Sequence, residues 1–303
     1  MKIYNLSPKN QSKIVLDPQN DIEKIRILKL SALEQRIQIL NLGHDLKIRL
    51  HYGAIMSSLE ILTTLYLYWM KYNPKIPSWP LRDRFILSKG HAAPGLYVIL
   101  AMCGFFPKKE FRNFRKLGSI LQGHPDRNKT PGVECTTGSL GQGFPVACGM
   151  ALASKIDQIP YHTYVLMSDG ECNEGSVWEA ALIASNLGLK NLTALIDRNQ
   201  QSSYGGMKNR NDIEPLAEKW KAFGWVVEEC DGHDFLSITK SLATVESGQQ
   251  APAVIVCHTT KGKGIPWAES HRAPSNYYLE EEYYIKAMDS LQILKKRLIE
   301  DNG

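Results

Sequence analysis

Two polar residues, thirty positions apart, follow strand-like segments and could hold a metal ion. Asp169 follows the apolar run 163–167, and Asn199 follows the apolar run 192–196. A helical pattern from Val177 to Leu187 separates the two runs. This order predicts parallel strands, and open α/β sheets bind ligands at the carboxyl ends of their strands. Mg²⁺ prefers hard oxygen ligands such as those of a carboxylate or an amide, and it readily takes further oxygens from a diphosphate. The alternative interpretation is two ordinary turns, in which Asp, Gly and Asn are common.

Further motifs favour the metal site, because together they resemble the N-terminal, diphosphate-binding half of the transketolase family. The motifs lie in the family's order from about Ile55 to Pro274. In chain order they are WPLRDRFILSKGH (79–91), GHP (123–125), TPGVE (130–134), TTGSLGQG (136–143), SDG (168–170), RN (198–199), DGHD (231–234) and HRAP (271–274). That family binds thiamine diphosphate through Mg²⁺. The resemblance implies the same cofactor here, with Ca²⁺ or Mn²⁺ as substitutes for Mg²⁺.

The resemblance also implies which residues hold the cofactor. Asp169 and Asn199 would bind Mg²⁺ through side-chain oxygens, and Gln201 through its backbone carbonyl. The residues assigned to the cofactor are His91 and His271 at the diphosphate, Gly138, Ser139 and Leu140 beside the thiamine rings, and Asp169, Gly170, Glu171 and Asn199 in the metal segments. Glycine at position 170 would let the backbone approach the phosphates closely.

Three residues match family positions with catalytic roles. His51 and His124 would line the substrate channel, bond to the hydroxyls of the ketose donor and help to move protons. Leu50 stands where the family has a small residue before the first of these histidines, which bears on the identity of the substrate. Glu174 matches an acid that links cofactor sites across a dimer. An acid at a helix N-terminus, favoured by the helix macrodipole, is the other interpretation of this glutamate.

The resemblance implies one subunit rather than a complete enzyme. In the family, the activating glutamate and the aromatic clamp for the pyrimidine ring lie in a following domain, and the chain ends before such a domain. We therefore expect an N-terminal subunit of a split transketolase that moves a two-carbon ketol unit between sugars or sugar phosphates. Its partner would be a C-terminal, pyrimidine-binding subunit in an α₂β₂ assembly.

Other functions stay open. One is a different thiamine diphosphate-dependent synthase subunit, for surface-sugar or natural-product ketol transfer or of the deoxyxylulose type. Another is a homologue that binds the cofactor without turnover. The stretch TPGVE…TTGSLGQG favours transketolase over the deoxyxylulose branch.

The elements that position these motifs form an α/β pattern, a mostly parallel sheet flanked by helices. The predicted strands are Arg84–Leu87, Val165–Met167, Leu192–Ile196, Trp225–Glu229 and Val254–Cys257. The predicted helices are one capped by Asn20 and ended by Gly43, Ser57–Met70, Ala93–Met102, one after the Gly138 turn, Glu179–Leu187, Pro215–Phe223, Phe235–Glu246 and Ile285–Glu300. We expect an irregular arm over residues 1–19 and a single domain over 20–303.

Composition excludes several classes of protein. Of the 303 residues, 43% are hydrophobic and 22% are charged, and the net charge of +5 comes without a long Lys/Arg run, so we expect no nucleic-acid partner. The polar N-terminus has no apolar signal core, and the stretches Ile61–Met70 and Gly95–Phe106 are too short to cross a bilayer. Six scattered cysteines form no CxxC motif and indicate reduced thiols, so we expect a cytoplasmic protein without membrane contact.

Overall fold

The computed structural model describes residues 15–202, 205–206, 212–248, 250–269 and 276–300. Within these residues, helices cover both faces of a central sheet. In chain order the helices are α1 (Ile22–Asp45), α2 (Tyr52–Met56), α3 (Leu59–Thr64), α4 (Ala93–Met102), α5 (Gly143–Asp157), α6 (Gly175–Asn186), α7 (Leu216–Ala222), α8 (Phe235–Glu246), α9 (Pro266–Glu269) and α10 (Glu281–Glu300).

The central sheet has five strands and is parallel throughout. With a short antiparallel pair, the strands are β1 (Arg84–Leu87), β2 (Thr163–Ser168), β3 (Leu192–Arg198), β4 (Gln201–Ser202), β5 (Gly205–Gly206), β6 (Val226–Asp231) and β7 (Ala253–His258). The order across the sheet is β1-β2-β3-β7-β6, and every neighbouring pair is parallel. The predicted α/β fold is confirmed, and each predicted strand agrees with the structure to within two residues at either end.

Alternating strand residues build two hydrophobic cores, one on each face of the sheet. Leu166, Leu195 and Ile255 face the core formed with α1, α3, α4, α8 and α10. Their neighbours in the strands, such as Val165 and Val254, face the second core, formed with α5, α6 and α7. Successive side chains point to opposite faces of a strand, so a sheet that is covered on both sides needs continuous apolar runs. The strands β1, β2, β3 and β7 have this character, whereas the edge strand β6 carries Glu228 and Glu229.

The predicted helix Ser57–Met70 is wrong at its start and in its continuity. The segment contains α2, which begins at Tyr52, then α3, and then a π-helical turn over Leu65–Trp69. The break falls at Ser57 and Ser58, whose hydroxyls donate to backbone carbonyls within the preceding turn. Such local bonds compete with the helical backbone pattern, and they interrupt the helix here.

The predicted ends of the first helix are also wrong by one and two residues. Asp21, rather than Asn20, occupies the N-cap of α1, and the helix continues past Gly43 to Asp45. Gly43 serves close packing instead of termination, because a Cβ there would collide with the hydroxyl of Tyr52. At the other end of the chain, α10 begins four residues earlier than predicted.

The division into an arm and one domain stays a prediction. Residues 1–14 lie outside the described part of the chain, but Leu16 is 2% exposed and belongs to the first core. Its backbone N–H also donates to the Thr239 hydroxyl at 3.4 Å. Among the helices of the described ranges, not one has the length and the hydropathy that a bilayer crossing requires.

Candidate functional site

The carboxyl edge of the sheet brings the sequence motifs together. Asp169 immediately follows β2, and Asn199 immediately follows β3, which pairs with β2 along its length. The two segments are in direct contact, because the N–H of Gln200 donates to Oδ2 of Asp169 at 2.6 Å. The N–H of Asp169 in turn donates to the carbonyl of Asp197 at 3.2 Å. The predicted meeting of the two strand ends is therefore present, while metal binding by them stays a prediction.

Asp169 is a buried carboxylate in a setting that favours a cation. It is 1% exposed, and its second oxygen, Oδ1, accepts a hydrogen bond from the N–H of Gly170 at 2.8 Å. Burial, followed by the negative charge of Asp197, raises the pKa of Asp169 to about 7. A bound divalent cation would offset both effects. A Cβ on Gly170 would have no atom within 4 Å, so there is open space beside the carboxylate.

The second strand end offers amide and carbonyl oxygens. Asn199 is 7% exposed, and its Oδ1 accepts from the N–H of Gln201 at 3.2 Å while its Nδ2 donates to Asp197 at 3.2 Å. The Nε2 of Gln201 is buried and has no partner among the described residues. A buried amide donor normally has a partner, and an anionic ligand at this edge would provide one. The donor set thus fits a magnesium diphosphate group.

A buried ion pair, which the sequence analysis missed, supports the metal segments. Lys89 and Asp197 are both fully buried, and the ammonium of Lys89 donates to Oδ2 of Asp197 and to the carbonyl of Ala54. The same carboxylate accepts from the hydroxyls of Ser57 and Thr259. Burial disfavours its charge, but Lys89 and these donors outweigh burial and hold the pKa of Asp197 below its ordinary value. The sequence signal that could have revealed this pair is the position of Lys89 and Asp197, two charged residues at the ends of apolar strands.

Glu171, predicted as a cofactor contact, has its carboxylate engaged within the protein. It is fully buried and accepts from the Ser88 hydroxyl, from the N–H of Gly141 at 2.9 Å and from the N–H of Ser168 at 3.4 Å. Burial raises the pKa of Glu171 above its ordinary value. The side chain therefore ties the SKGH, GSLGQG and SDG segments to one another. Any contact with a cofactor stays a prediction.

The glycine-rich turn packs closely against the SKGH motif. A Cβ on Gly90 would lie 2.9 Å from the backbone nitrogen of Gly138, and a Cβ on Gly138 would lie 3.4 Å from the ring of His124. The close approach at Gly90 therefore requires glycine, whereas a Cβ at position 138 would make an ordinary contact with His124. Ser139 is exposed and Leu140 is partly buried, and their contact with a cofactor stays a prediction.

Three of the four predicted histidines lie in the described part of the chain and share one electrostatic setting. The rings of His51 and His91 are 5.2 Å apart, centroid to centroid. Burial, with smaller contributions from nearby positive charges, lowers the pKa of His51 to about 4 and that of His91 to about 3. Burial and Arg115 also lower the pKa of His124. These imidazoles are neutral at pH 7, whereas His271 lies outside the described residues.

Two cations beside these histidines were missed by the sequence analysis. Lys261, in the loop after β7, is 9% exposed, and a Cβ on Gly53 would lie 2.8 Å from its Cγ. Burial and then Lys89 lower the pKa of Lys261, while the charge of Asp169 opposes them. Arg115 has a left-handed backbone, with φ of 61°, and donates to the carbonyl of Arg49 at 2.9 Å. The run KGKG (261–264) was a sequence signal that could have indicated Lys261 as a site residue, but the sequence offered no such signal for Arg115.

Glu174 lies at the N-terminus of a helix, as one of its two sequence interpretations predicts, while its role across a dimer stays a prediction. It is the exposed N-cap residue of α6, and its side chain makes no capping hydrogen bond. A Cβ on Gly141, whose φ is +77°, would lie 2.6 Å from the Cβ of Glu174. The position suits the helix macrodipole, and the side chain is also open to another chain.

Comparison with known proteins identifies the family. A family model described as "Transketolase, thiamine diphosphate binding domain" matches residues 19–287. The 6-deoxy-6-sulfo-D-fructose transketolase subunit of Clostridium sp. (strain MSTE9) is 41% identical over 242 residues, which cover 80% of this chain and 88% of that subunit. An apulose-4-phosphate transketolase subunit from Actinobacillus succinogenes is 40% identical over 285 residues, which cover 92% of this chain and 97% of that subunit.

Solved structures agree with this assignment. Transketolase from Campylobacter jejuni matches with a TM-score of 0.82 and 32% identity, over 90% of this chain and 46% of that one. The chain thus spans about half the length of that transketolase and most of the length of the two subunits.

Proposed function

This chain belongs to the transketolase family, and we propose that it is the thiamine diphosphate-binding, N-terminal subunit of a two-chain transketolase. The enzyme would transfer a two-carbon ketol unit from a ketose donor to an aldose acceptor. The observation that carries the proposal is the joined pair of strand ends, with Asp169 and Asn199 buried side by side in a chain of this family.

At the diphosphate end, Asp169, Asn199 and the carbonyl of Gln201 would hold Mg²⁺, for which Ca²⁺ or Mn²⁺ could substitute. Lys261 would add positive charge for the diphosphate, and the neutral imidazole of His91 would donate one N–H. Two features support this assignment: the Nε2 of Gln201, which has no partner within the described part of the chain, and the buried carboxylate of Asp169. Along the rest of the site we keep Gly138, Ser139, Leu140, Gly170, Glu171 and His271 as candidate cofactor contacts.

At the reacting end, His51 and His124 would bind the ketose hydroxyls and carry protons. Thiamine diphosphate, when bound, supplies the electron sink for cleaving the carbon–carbon bond of the ketose. Neutral imidazoles can accept a proton from a hydroxyl and return it, and the lowered pKa values of both histidines keep them neutral near pH 7. We propose these two residues as the proton-transfer groups that this chain contributes.

The substrates are proposed to be sugars with an anionic end. The two subunits compared above are named for a sulfo-sugar and for a sugar phosphate, and both compounds carry a negative group. The charge of Arg115 acts on both His51 and His124, so a cation is present at this end of the site. An arginine suits a phosphate or sulfonate group because it can donate two parallel hydrogen bonds.

The partner is proposed to be a C-terminal, pyrimidine-binding subunit in an α₂β₂ assembly in the cytoplasm. The relatives of similar length are named as subunits. Large apolar side chains are exposed on α5 and on α6, the helix whose N-cap is Glu174, which we propose as the link between cofactor sites. They are Val146 on α5 and Leu182, Ile183 and Leu187 on or after α6. Exposed apolar residues in a group are typical of surfaces that contact another protein.

The test is a calorimetric titration of thiamine diphosphate into the assembled enzyme, with Mg²⁺ or with a chelator. We expect binding that depends on Mg²⁺ in the wild type and none in Asp169→Ala. Asp157→Ala is the matched control, because it removes the same charge from the end of α5, near the other edge of the sheet. Unchanged affinity in Asp169→Ala, or binding that a chelator does not affect, would contradict the proposed metal site.

A further inference from the structure

His233, in the DGHD motif, joins two segments of the fold and has no role in the site described above. The motif follows β6, and Asp234 caps α8 by accepting from two backbone N–H groups. The His233 ring instead lies between α3 and the loop after β7, with Nδ1 3.0 Å from Oε2 of Glu60 and Nε2 2.8 Å from the backbone nitrogen of Thr260. A backbone N–H can only donate, so Nε2 accepts, and Nδ1 carries the hydrogen that is donated to Glu60.

Arg36 completes a chain of three side chains, Arg36, Glu60 and His233, which we call the loop clamp. Its Nη2 lies 2.7 Å from Oε1 of Glu60, and its Nε donates to the carbonyl of Lys263 at 2.9 Å. Arg36 is 4% exposed and Glu60 is 7% exposed. The clamp therefore holds the loop 260–263 at both ends, through the N–H of Thr260 and the carbonyl of Lys263.

The loop held by the clamp carries Lys261 to the carboxyl edge of the sheet. The N–H of Gly262 donates to the carbonyl of Gly53 at 3.0 Å, and the carbon chain of Lys261 lies against Gly53. Gly53 is two residues after His51, so the same contacts tie the loop to the reacting end of the site. Because the charge of Lys261 acts on Asp169, movement of the loop would change the field at the metal segments.

We propose that the loop clamp is a positioning device, in which His233 and Arg36 hold Lys261 where it meets the diphosphate of the cofactor. The inference rests on the proposed function for its ligand, since it adds positioning residues to that same site. His233 acts through the N–H of Thr260. Breaking that bond would leave a backbone donor without a partner, which favours other conformations of the loop.

Two substitutions of His233 separate the two bonds. In His233→Gln the terminal amide reaches the position of Nε2, so its oxygen can still accept from Thr260. In His233→Asn the amide lies at the position of Nδ1, so only the bond to Glu60 can be kept. We expect His233→Asn to weaken the binding of thiamine diphosphate with Mg²⁺ about fivefold, as the loss of a single hydrogen bond of average strength would do, and His233→Gln to remain near the wild type.

A second measurement does not need the cofactor. Trypsin cleaves after lysine, so cleavage after Lys261 and Lys263 reports release of the loop in the full chain. Mass spectrometry measures the rate of this cleavage. We expect faster cleavage in His233→Asn than in His233→Gln. Arg36→Lys keeps a charge for Glu60 but loses the bond to Lys263, so it should also speed cleavage and weaken binding, and it carries the test if His233→Asn does not fold.

The control is His162→Asn, which breaks the bond from another histidine to the Thr193 hydroxyl at the amino edge of the sheet. It should change neither cleavage of the loop nor affinity for the cofactor. Equal affinity and equal cleavage in the folded His233→Asn and His233→Gln variants would overturn the clamp. Failure of the wild type to bind the cofactor would instead contradict the proposed function, while faster cleavage in His233→Asn would still support the clamp.

Discussion

The ion pair between Lys89 and Asp197 should be the largest single electrostatic contribution to the stability of the site. In Lys89→Met, Asp197 keeps the hydroxyl donors Ser57 and Thr259 but loses its cation. Because the pair is fully buried, water does not compensate for the lost cation. Breaking a buried pair by removing one partner costs about 3–5 kcal/mol, since it leaves an uncompensated buried charge.

The expected change in melting temperature follows from the chain length. At 303 residues, the entropy of unfolding corresponds to about 0.6 kcal/mol per degree. Lys89→Met should therefore melt about 5–8 °C below the wild type. The double variant Lys89→Met/Asp197→Asn removes both charges and leaves an amide at position 197 for the Ser57 and Thr259 hydroxyls, while the Ala54 carbonyl loses its donor. It should recover at least half of that loss.

The assay is thermal unfolding, measured by calorimetry at one pH and one protein concentration. The proteins are the wild type, Lys89→Met, Asp197→Asn and the double variant. The four proteins form a double-mutant cycle that isolates the interaction between the two charges. A loss below about 2 °C in Lys89→Met, or a double variant no more stable than the worse single variant, would refute this account of the pair.

Further predictions concern the histidines and Lys261. His124→Ala should lower ketol transfer about 10²- to 10⁴-fold while the dissociation constant of thiamine diphosphate changes little, and normal turnover with lost cofactor binding would place this residue at the wrong end of the site. His91 has a pKa of about 3 in the fold and about 6.5 when unfolded, so the unfolded state binds more protons between these values and stability falls as the pH drops below 6.5. Between pH 7 and pH 5 the free energy of unfolding should fall by about 2 kcal/mol on account of His91. Unfolding measured at the two pH values should therefore show a smaller fall in His91→Gln than in the wild type. Gly53→Ala should keep the fold but push Lys261 aside, so that thermal stability is retained and affinity for the cofactor falls, whereas unchanged affinity would separate this lysine from the diphosphate.

The sheet and its edge could be predicted from the sequence because their signals are local. The strand Leu192–Arg198 is an apolar run followed by a polar turn, and the same holds for Thr163–Ser168. Parallel pairing then requires that Asp169 and Asn199 meet at one edge, as they do. The comparisons with known proteins confirmed the family resemblance, whereas the residue roles that it implies stay predictions.

The remaining features depend on contacts between distant parts of the chain. Ser57 interrupts a helix, and its hydroxyl bonds to Asp197, which lies 140 positions away. Lys261 reaches the edge of the sheet only because Gly53 leaves room for its side chain. His233 contacts Glu60, which is 173 positions distant, so its sequence motif indicates only a turn and a helix cap. No pattern of spacing or periodicity within the sequence encodes such contacts.

The most direct test of the central claim is an assay of ketol transfer by the purified chain, alone and with a companion that carries the pyrimidine-binding domain. Thiamine diphosphate, Mg²⁺ and several anionic ketose donors would be present in both assays. We predict no turnover by the chain alone and turnover when the companion is added, with Asp169→Ala inactive in both. Robust turnover by the chain alone would contradict the two-chain account and would require an activating acid among these 303 residues.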